Sequence, residues 1–238
     1  MKRAILDQLL QARAEKRPIA VLTNLTTYDQ VLIDPQKIIN PIVISEALYR
    51  VTLDSLETDR SRIVTLDTDQ QKWFVQVFNS PLRLMIIGAV HIAQALASLA
   101  TYVGYDVTVI DPRHAFATKE RFPDVTLCTD WPDDALKIRT LDHRTAVVTL
   151  THDPKIDDPA LIMALSSPVF YIGALDSQRS HAKRLQRLQD NGIAHKTLTR
   201  IHGPVGLAIN AVTPAEIALS ILAHMTSVLR KHDKRHNK

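Results

Sequence analysis

Apolar and polar positions follow two different rhythms along this chain, and the rhythm changes near residue 80. In the first part, apolar positions three and four apart are typical of a helix, and short alternating stretches are typical of strands. The pattern predicts helices over Arg3–Lys16 and near Val43–Arg50, and strands over Ile19–Asn24, Gln30–Ile33, Arg62–Leu66 and Trp73–Phe78. Asn79-Ser80-Pro81 is a turn signal. We therefore expect a small α+β N-terminal domain over residues 1–80.

Beyond this boundary, short continuous apolar runs alternate with amphipathic stretches of helical period, which is typical of a parallel sheet covered by helices. The predicted strands are Leu84–Ile87, Val107–Ile110, Val125–Cys128, Ala146–Leu150 and Val169–Ile172. The predicted helices are Gly88–Val103, Phe116–Arg121, Pro159–Leu165, Ser177–Asn191 and a final helix that opens at the capping box Thr213-Pro214-Ala215-Glu216. The fold class is therefore α/β, with a Rossmann-like parallel-sheet domain over residues 81–229.

The net charge of the chain is concentrated in its last residues. The 238 residues carry a formal net charge of +4, and the sequence pI is about 9.2. The segment Arg230–Lys238 accounts for this whole excess, so the rest of the chain is formally neutral. No basic stretch interleaved with aromatic residues occurs, which argues against a nucleic-acid partner. The basic tail over residues 230–238 is either a solvated extension or an electrostatic contact with an acidic partner.

Other classes of protein are disfavoured by what the sequence lacks. Its single cysteine, Cys128, excludes a disulfide framework within the chain, and no HExxH or CxxC spacing of metal ligands occurs. The longest apolar stretch, around Met85–Val90, is far shorter than the roughly 20 residues that span a bilayer. No signal peptide is recognisable at the N-terminus. We expect a cytoplasmic protein without membrane insertion and without a metal site.

The first candidate site is the turn after the strand Leu84–Ile87, which reads Gly88-Ala89-Val90-His91-Ile92-Ala93. Dinucleotide-binding folds carry G-x-G-x-x-G/A here, and an acidic residue about 20 positions later binds the ribose. Gly88 and Ala93 fit this pattern, and Asp111 ends the second strand near the expected spacing. Val90 replaces the second glycine, and a β-branched side chain would push its methyl groups toward the phosphate site. The turn either binds a dinucleotide or belongs to a Rossmann-like fold that does not.

Two further segments follow predicted strands. Thr151-His152-Asp153 comes directly after Ala146–Leu150, where an open α/β sheet faces its ligand crevice. A histidine there can move protons beside the carboxylate, or the segment is a solvated loop before a helix capped by Asp158-Pro159.

The third candidate combines Ser177 and Arg179, at the start of a predicted helix, with His202 beside a glycine-proline turn. Hydroxyl and guanidinium groups at a helix start commonly hold an anion, although a plain helix start and turn remains the alternative. The local positive charge at Arg113, Arg179 and Arg200 points to a small anionic ligand.

Taken in order, these segments resemble the C-terminal domain of the xanthine dehydrogenase accessory family, XdhC/CoxI. The resemblance runs from about Leu84 to about Thr226. It rests on GAVHIA at Gly88, VIDPR ending at Arg113, the stretch Phe116–Pro123, TLTHDPKIDDPAL from Thr149, YIGALDSQRS from Tyr171, and RIHGPVGLAINAVTPAEIALSIL from Arg200. Family members usually have glycine where this chain has Val90, Asp176 and Asn210. The N-terminal domain is shortened and atypical, because the family's Gly-Ser-Pro-Arg-like loop has no counterpart in residues 1–80.

The resemblance implies a non-catalytic maturation factor for a molybdenum hydroxylase of the xanthine dehydrogenase type. Such a factor would bind molybdenum cofactor (molybdopterin), assist its sulfuration and insert it into the apo-molybdenum hydroxylase. A cysteine desulfurase and a second copy in a homodimer are further expected partners. The expected cofactor-binding residues are Gly88, His91, Asp111, Arg113, His152, Asp153, Ser177, Arg179 and His202. Two other functions stay open: an NAD(P)-dependent oxidoreductase, which Val90 disfavours, and a docking protein that binds no cofactor.

Overall fold

The computed structural model describes residues 3–35, 44–66 and 70–231 of the chain. The chain divides into two compact units, Met1–Ser80 and Pro81–Lys238. The first unit holds a four-stranded antiparallel sheet in the order β2-β1-β4-β3, with one helix packed on each face. Its elements are α1 (Arg3–Ala14), β1 (Ile19–Asn24), β2 (Gln30–Ile33), α2 (Glu46–Thr58), β3 (Arg62–Thr65) and β4 (Lys72–Phe78).

The central strand β1 explains why the first unit needs two helices. Its alternating side chains are buried on both faces, Ile19 and Val21 with α1 and Ala20 and Leu22 with α2. Helix α2 is longer than predicted because Ser45 caps its start and the chain turns only at Asp59. The predicted start of this helix at residue 43 lies outside the described residues.

The second unit is a six-stranded parallel sheet in the order β10-β9-β8-β5-β6-β7, which confirms the predicted α/β, Rossmann-like class. Its strands are β5 (Arg83–Ile87), β6 (Asp106–Ile110), β7 (Thr126–Cys128), β8 (Thr145–Thr149), β9 (Tyr171–Ala174) and β10 (Ile201–His202). Its helices are α3 (His91–Tyr102), α4 (Pro132–Lys137), α5 (Pro154–Leu165), α6 (Gln178–Asp190), α7 (His195–Leu198) and α8 (Pro214–Lys231).

Two apolar layers cover this parallel sheet. Helices α3 and α8 pack on one face around Leu96 and Ile221, and α4 to α7 pack on the other around Leu161 and Leu188. The strand order reverses between β5 and β8, because β6 and β7 continue on one side and β9 and β10 on the other. Ligands of open α/β sheets bind at the carboxyl ends of the strands near such a reversal.

Several sequence predictions for the second unit differ from the structure. The predicted helix over Phe116–Arg121 is wrong, since this segment forms turns in which Arg121 Nη1 donates to the Phe116 carbonyl at 2.7 Å. Helix α5 begins at Pro154 rather than at Pro159, because Asp153 accepts a hydrogen bond from Lys155 N and acts as the cap. Helix α8 includes the first two residues of the predicted tail, and residues 232–238 lie outside the described residues.

Candidate functional site

The turn after β5 is closed by a neighbouring loop. Gly88 has a positive φ of 104°, and its N–H donates to the Ile110 carbonyl at 2.8 Å. A Cβ at this position would overlap the Cγ2 methyl of Thr151, which follows β8. Glycine is therefore required both by the backbone conformation and by the close approach of Thr151. The structure thus uses Gly88 to bring the ends of β5 and β8 together.

Val90 and His91, at the start of α3, lie in different environments. Val90 caps α3 with an extended backbone, and its side chain packs against the core between the sheet and α3 and α8. His91 is the first residue of α3, and its side chain is exposed.

Asp111 supports the turn from the end of β6. Its Oδ2 accepts the Ala89 N–H at 2.7 Å, and its Oδ1 accepts the Arg113 backbone N–H at 3.0 Å. The Arg113 guanidinium adds bonds of 2.9 and 2.8 Å to the two oxygens and lies 4.6 Å above the Phe116 ring. Burial would raise the pKa of Asp111, but these hydrogen bonds and the Arg113 charge together lower it. Asp111 is fully buried, and both of its oxygens accept hydrogen bonds within the turn.

The loop after β8 is shaped by one buried carboxylate. Asp157, in the first turn of α5, accepts the Thr151 hydroxyl at 2.7 Å and the His152 N–H at 3.1 Å. His152 adopts a positive φ of 62°, so the chain reverses sharply before Asp153 caps α5. This geometry turns the His152 ring outward, where its side chain is 57% exposed.

An open cleft of about 430 Å³ lies beside this loop, at the carboxyl ends of β8 and β9. The predicted site also included Gly88 and Asp111, which follow β5 and β6. Neither of these residues lines the cleft. The lining consists of hydroxyl, cationic and acidic groups with one proline, contributed by His152, Pro154, Asp176, Ser177, Ser180, Lys183, Arg184 and Arg187. Such a polar, cation-rich cleft suits a small anionic ligand.

A network of buried charges forms the floor of the cleft. Arg184 Nη2 donates to Asp157 Oδ2 at 2.9 Å, and Arg184 Nη1 lies 2.7 Å from Asp176 Oδ2. Arg187 binds both oxygens of Asp158 at 2.9 and 3.1 Å. Burial raises the pKa of Asp157, while the Thr151 hydroxyl and the Arg184 charge oppose that rise. These ion pairs hold α5 against α6 beneath the cleft.

His152 and Asp176 meet at the rim of the cleft. His152 Nδ1 lies 3.3 Å from Asp176 Oδ1, while the other carboxylate oxygen faces Arg184. The Asp176 side chain is only 5% exposed. One of its carboxylate oxygens faces the exposed imidazole of His152, and the other faces the buried guanidinium of Arg184. Asp176 therefore connects the exposed rim of the cleft to the buried Arg184 beneath it.

His202 belongs to a different cluster on the other face of the sheet. Its ring stacks on Tyr171 with centroids 4.8 Å apart and meets His224 of α8 edge-on at 4.6 Å. Burial, together with the charges of His224 and Lys231, lowers the pKa of His202 to about 4. His202 therefore stays neutral at pH 7 and lies among the packing side chains of the α8 layer.

Arg200 and Arg179, which the sequence analysis named as local positive charges, lie in different parts of the second unit. Arg200 donates to three backbone carbonyls, those of Leu165, Ser167 and Val169, at 2.8 to 3.0 Å. It therefore closes the end of α5 at the amino edge of the sheet, away from the cleft. Arg179 lies in the first turn of α6 with an exposed side chain.

Of the predicted site residues, His152 and Ser177 line the cleft, and Asp153 caps the adjoining helix. The acidic and basic residues that complete the cleft were not predicted. A signal was present, because the polar residues of α6 that face the cleft are spaced three and four positions apart, which places them on one helical face: Ser177, Ser180, Arg184 and Arg187.

The described residues supply no thiol or metal cluster to this cleft. Cys128 is buried at the end of β7, where its Sγ donates to Asp130 Oδ2 at 3.3 Å. Across residues 3–35, 44–66 and 70–231, no three histidine, cysteine or acidic residues are grouped so that they could hold a metal ion. Nor does this part of the chain contain a helix both long and apolar enough to cross a membrane.

The parallel sheet, its glycine turn and the polar cleft at its carboxyl edge define a Rossmann-like protein. Residues 84–225 match the XdhC Rossmann domain, which spans more than half of the chain. The chain therefore belongs to the XdhC family, as the sequence resemblance indicated.

Three curated relatives share this region. The chain is 36% identical over 151 residues to the molybdenum cofactor insertion chaperone PaoD of Escherichia coli, covering 63% of this chain and 41% of PaoD. It is 32% identical over 159 residues to a probable xanthine dehydrogenase subunit of Bacillus subtilis, covering 66% and 46%. It is 33% identical over 155 residues to the uncharacterized protein YqeB of Escherichia coli, covering 65% and 29%. The matched region thus spans less than half of each relative.

A solved structure shares the fold. The crystal structure of a protein described as a xanthine dehydrogenase from Bacillus halodurans matches with a TM-score of 0.75 at 23% identity. The match covers 99% of this chain and 66% of that one. At this identity the likeness shows a common fold, in which both units of the present chain have counterparts.

Proposed function

We propose that this protein is a non-catalytic maturation factor that holds molybdenum cofactor and passes it to an apo-molybdenum hydroxylase. The observation that carries the proposal is the polar cleft at the carboxyl edge of an XdhC Rossmann domain. The name of the relative PaoD, a molybdenum cofactor insertion chaperone, supports the same ligand class. A soluble carrier of this kind would act in the cytoplasm beside its target enzyme.

The residues of the cleft fit the organic part of the cofactor. Its phosphate would suit the hydroxyl and cationic side chains of the lining. Its pterin ring carries N–H donors, which the acidic group of the lining would accept. When bound, the group supplies the molybdenum centre that the target enzyme uses.

The remaining predicted residues have supporting roles in this proposal. Gly88 and Asp111 fix the turn between β5 and α3, and Arg113 supports it by binding Asp111. Asp153 fixes the start of α5 and so positions His152 at the rim of the cleft.

The proposed role in sulfuration assigns the sulfur chemistry to a separate cysteine desulfurase. Cys128 is the single cysteine of the sequence, and it is buried beneath the end of β7. A persulfide carrier needs an accessible thiolate, which this position does not offer. The chain would instead hold the cofactor while the partner delivers sulfur to it.

The two alternative functions receive less support. A dinucleotide-binding oxidoreductase needs a free acid for the ribose, whereas both oxygens of Asp111 accept bonds from Ala89 and Arg113. A docking protein without a ligand would have its crevice filled by side chains. Val90 packs on the core, and the cleft beside α6 remains open.

The proposal is tested with purified full-length protein and cofactor released from a denatured molybdenum hydroxylase. After gel filtration, the cofactor should elute with the protein, and adding apo-enzyme should restore hydroxylase activity. Substituting Ser180→Asp places a negative charge in the cleft and should reduce the retained cofactor about tenfold or more. Gln186→Asp, on the exposed side of the same helix, is the matched variant and should retain it.

Two results would contradict the proposal. One is wild-type protein that elutes without cofactor at concentrations where apo-enzyme still accepts it directly. The other is saturable binding of a nicotinamide cofactor that Ser180→Asp abolishes. A cleft variant that loses cofactor but keeps its unfolding transition supports the assignment of this site, because the fold is then intact.

A further inference from the structure

One end of the cleft collects hydrogen-bond donors at the start of α6. Ser177 caps this 13-residue helix by accepting the Ser180 N–H at 3.2 Å, and the two hydroxyl groups lie 3.0 Å apart. Lys183 follows one turn later on the cleft side and forms no ion pair with another described residue. The positive end of the helix dipole points at the same place.

Arg184 supplies an independent sign of a missing partner. Its side chain lines the cleft and is only 2% exposed, yet its Nε and Nη1 atoms have no hydrogen-bond acceptor. Nη2 alone is bonded, to Asp157. Nε is 3.9 Å from Asp158, too far for a bond, and Nη1 is close to Asp176 but misaligned with it. Nε is therefore a buried donor without an acceptor in bonding distance, which is costly and favours an acceptor-rich ligand at this position.

Asp176 competes with such a ligand. Its carboxylate lies against Arg184 on one side and His152 on the other, so it neutralises part of the positive charge at the floor of the cleft. An incoming anion must share Arg184 with this carboxylate. Removing the Asp176 charge should therefore strengthen anion binding, whereas removing the Lys183 charge should weaken it.

We propose that the cleft contains a phosphate-monoester subsite formed by Ser177, Ser180, Lys183 and Arg184, with Asp176 as the built-in competitor that limits its affinity. The subsite deepens the proposed function and rests on it for the identity of the ligand. On that basis, the phosphate end of the pterin cofactor is anchored at α6. The phosphate of a nucleotide offers the same chemistry, and the experiment separates these two sources.

The experiment measures binding of inorganic phosphate to the full-length protein by isothermal titration calorimetry at low salt. Lys183→Gln should raise the dissociation constant about fivefold to tenfold, and Asp176→Asn should lower it by about fivefold. Asn keeps an oxygen acceptor and the size of the side chain, and an unfolding transition like that of the wild type shows that this variant is folded. The charge-matched controls are Lys196→Gln on α7 and Asp190→Asn at the far end of α6, which should stay within about twofold of the wild type.

The subsite is established if the dissociation constant for phosphate rises in Lys183→Gln and falls in Asp176→Asn while both control variants keep the wild-type value. Equal effects of Lys183→Gln and Lys196→Gln would overturn it, because only the overall charge would then matter. Absence of phosphate binding in both the wild type and Asp176→Asn would also overturn it.

Adenosine monophosphate and released molybdenum cofactor distinguish the source and separate this inference from the proposed function. Cofactor binding that weakens in Lys183→Gln supports both. Phosphate and nucleotide binding without cofactor binding keeps the subsite but contradicts the proposed function. Cofactor binding that is unchanged in Lys183→Gln and Asp176→Asn keeps the proposed function but contradicts the subsite.

Discussion

Asp157 and Arg184 form an ion pair of 2.9 Å between two side chains that are almost completely buried. The pair joins the first turn of α5 to the second turn of α6, and Asp157 also holds the Thr151–His152 loop. Asp157 thereby fixes the loop at the rim of the cleft, while Arg184 forms part of the floor. The stability of the unit and the geometry of the site depend on the same pair.

Replacing Arg184 should destabilise the protein strongly. The substitution Arg184→Met keeps the volume of the side chain but leaves Asp157 buried beside Asp176 without its counter-charge. We expect the free energy of unfolding to fall by about 3–5 kcal/mol, as for other broken buried pairs. Chemical denaturation followed by circular dichroism measures this change. Arg187→Met, whose partner Asp158 lies nearer the surface, should cost about 1 kcal/mol.

The double variant Asp157→Asn, Arg184→Met provides the control for this prediction. Removing both charges together leaves no uncompensated carboxylate at position 157, so part of the lost stability should return. A double variant no more stable than Arg184→Met would show that packing, not charge, dominates at this position.

The sequence predicted the core strands of the second unit well, because buried parallel strands are continuous apolar runs. The predicted Leu84–Ile87 and Val107–Ile110 differ by one residue from β5 and β6. The short elements α4, α7 and β10 were not predicted, since so few residues show too little periodicity. A helix was predicted over Phe116–Arg121. The segment instead forms turns, in which the Arg121 side chain donates a hydrogen bond to the Phe116 carbonyl.

The site was less predictable than the fold. Position after a strand end correctly placed His152 and Ser177 in the cleft. Asp111 also follows a strand but does not line this cleft, and sequence spacing cannot show that its oxygens accept bonds from Ala89 and Arg113. Predicting the contribution of Arg184 would have required the pairing of α5 with α6, which is a tertiary contact.

Gly88 should be intolerant of a side chain. Gly88→Ala combines a positive φ with overlap between the new Cβ and the Thr151 methyl. We expect the free energy of unfolding to fall by about 2–4 kcal/mol. Gly104→Ala is the matched variant, because Gly104 has a φ of 92° and open space around it, and should cost about 1 kcal/mol. Similar losses for the two variants would show that Thr151 does not restrict this turn.

Asp111 should contribute to stability and not to nicotinamide binding. Asp111→Asn removes the charge that Arg113 needs, and we expect a loss of about 1–2 kcal/mol at pH 7. Because its pKa is lowered in the folded state, this contribution is present above the ordinary pKa of 3.8 and is lost as the pH falls further. Unfolding at pH 7 and pH 3 measures the difference. If the difference in the free energy of unfolding between Asp111→Asn and the wild type were the same at pH 3 and at pH 7, the ion pair would not be its source.

His202 should make the protein less stable in mild acid. Its pKa is about 4 in the folded protein and 6.5 when unperturbed, because burial and the nearby His224 and Lys231 disfavour its charge. Between these values the unfolded chain binds the extra proton, so stability rises with pH from 4 to 6.5 and falls on acidification. Discounting for partial exposure, we expect a contribution of about 1–2 kcal/mol across this window.

The measurement is the free energy of unfolding at several pH values between 4 and 7 for the wild type, His202→Asn and His195→Asn. His202→Asn loses the stacking on Tyr171 and should be less stable at pH 7, but its stability should fall less on acidification. His195 is exposed on α7, so its variant should follow the wild-type curve. His224, whose pKa is also lowered by burial and by Lys231, leaves a residual slope in His202→Asn. If His202→Asn and the wild type lost stability in parallel, the buried imidazole would not be the source of the acid sensitivity.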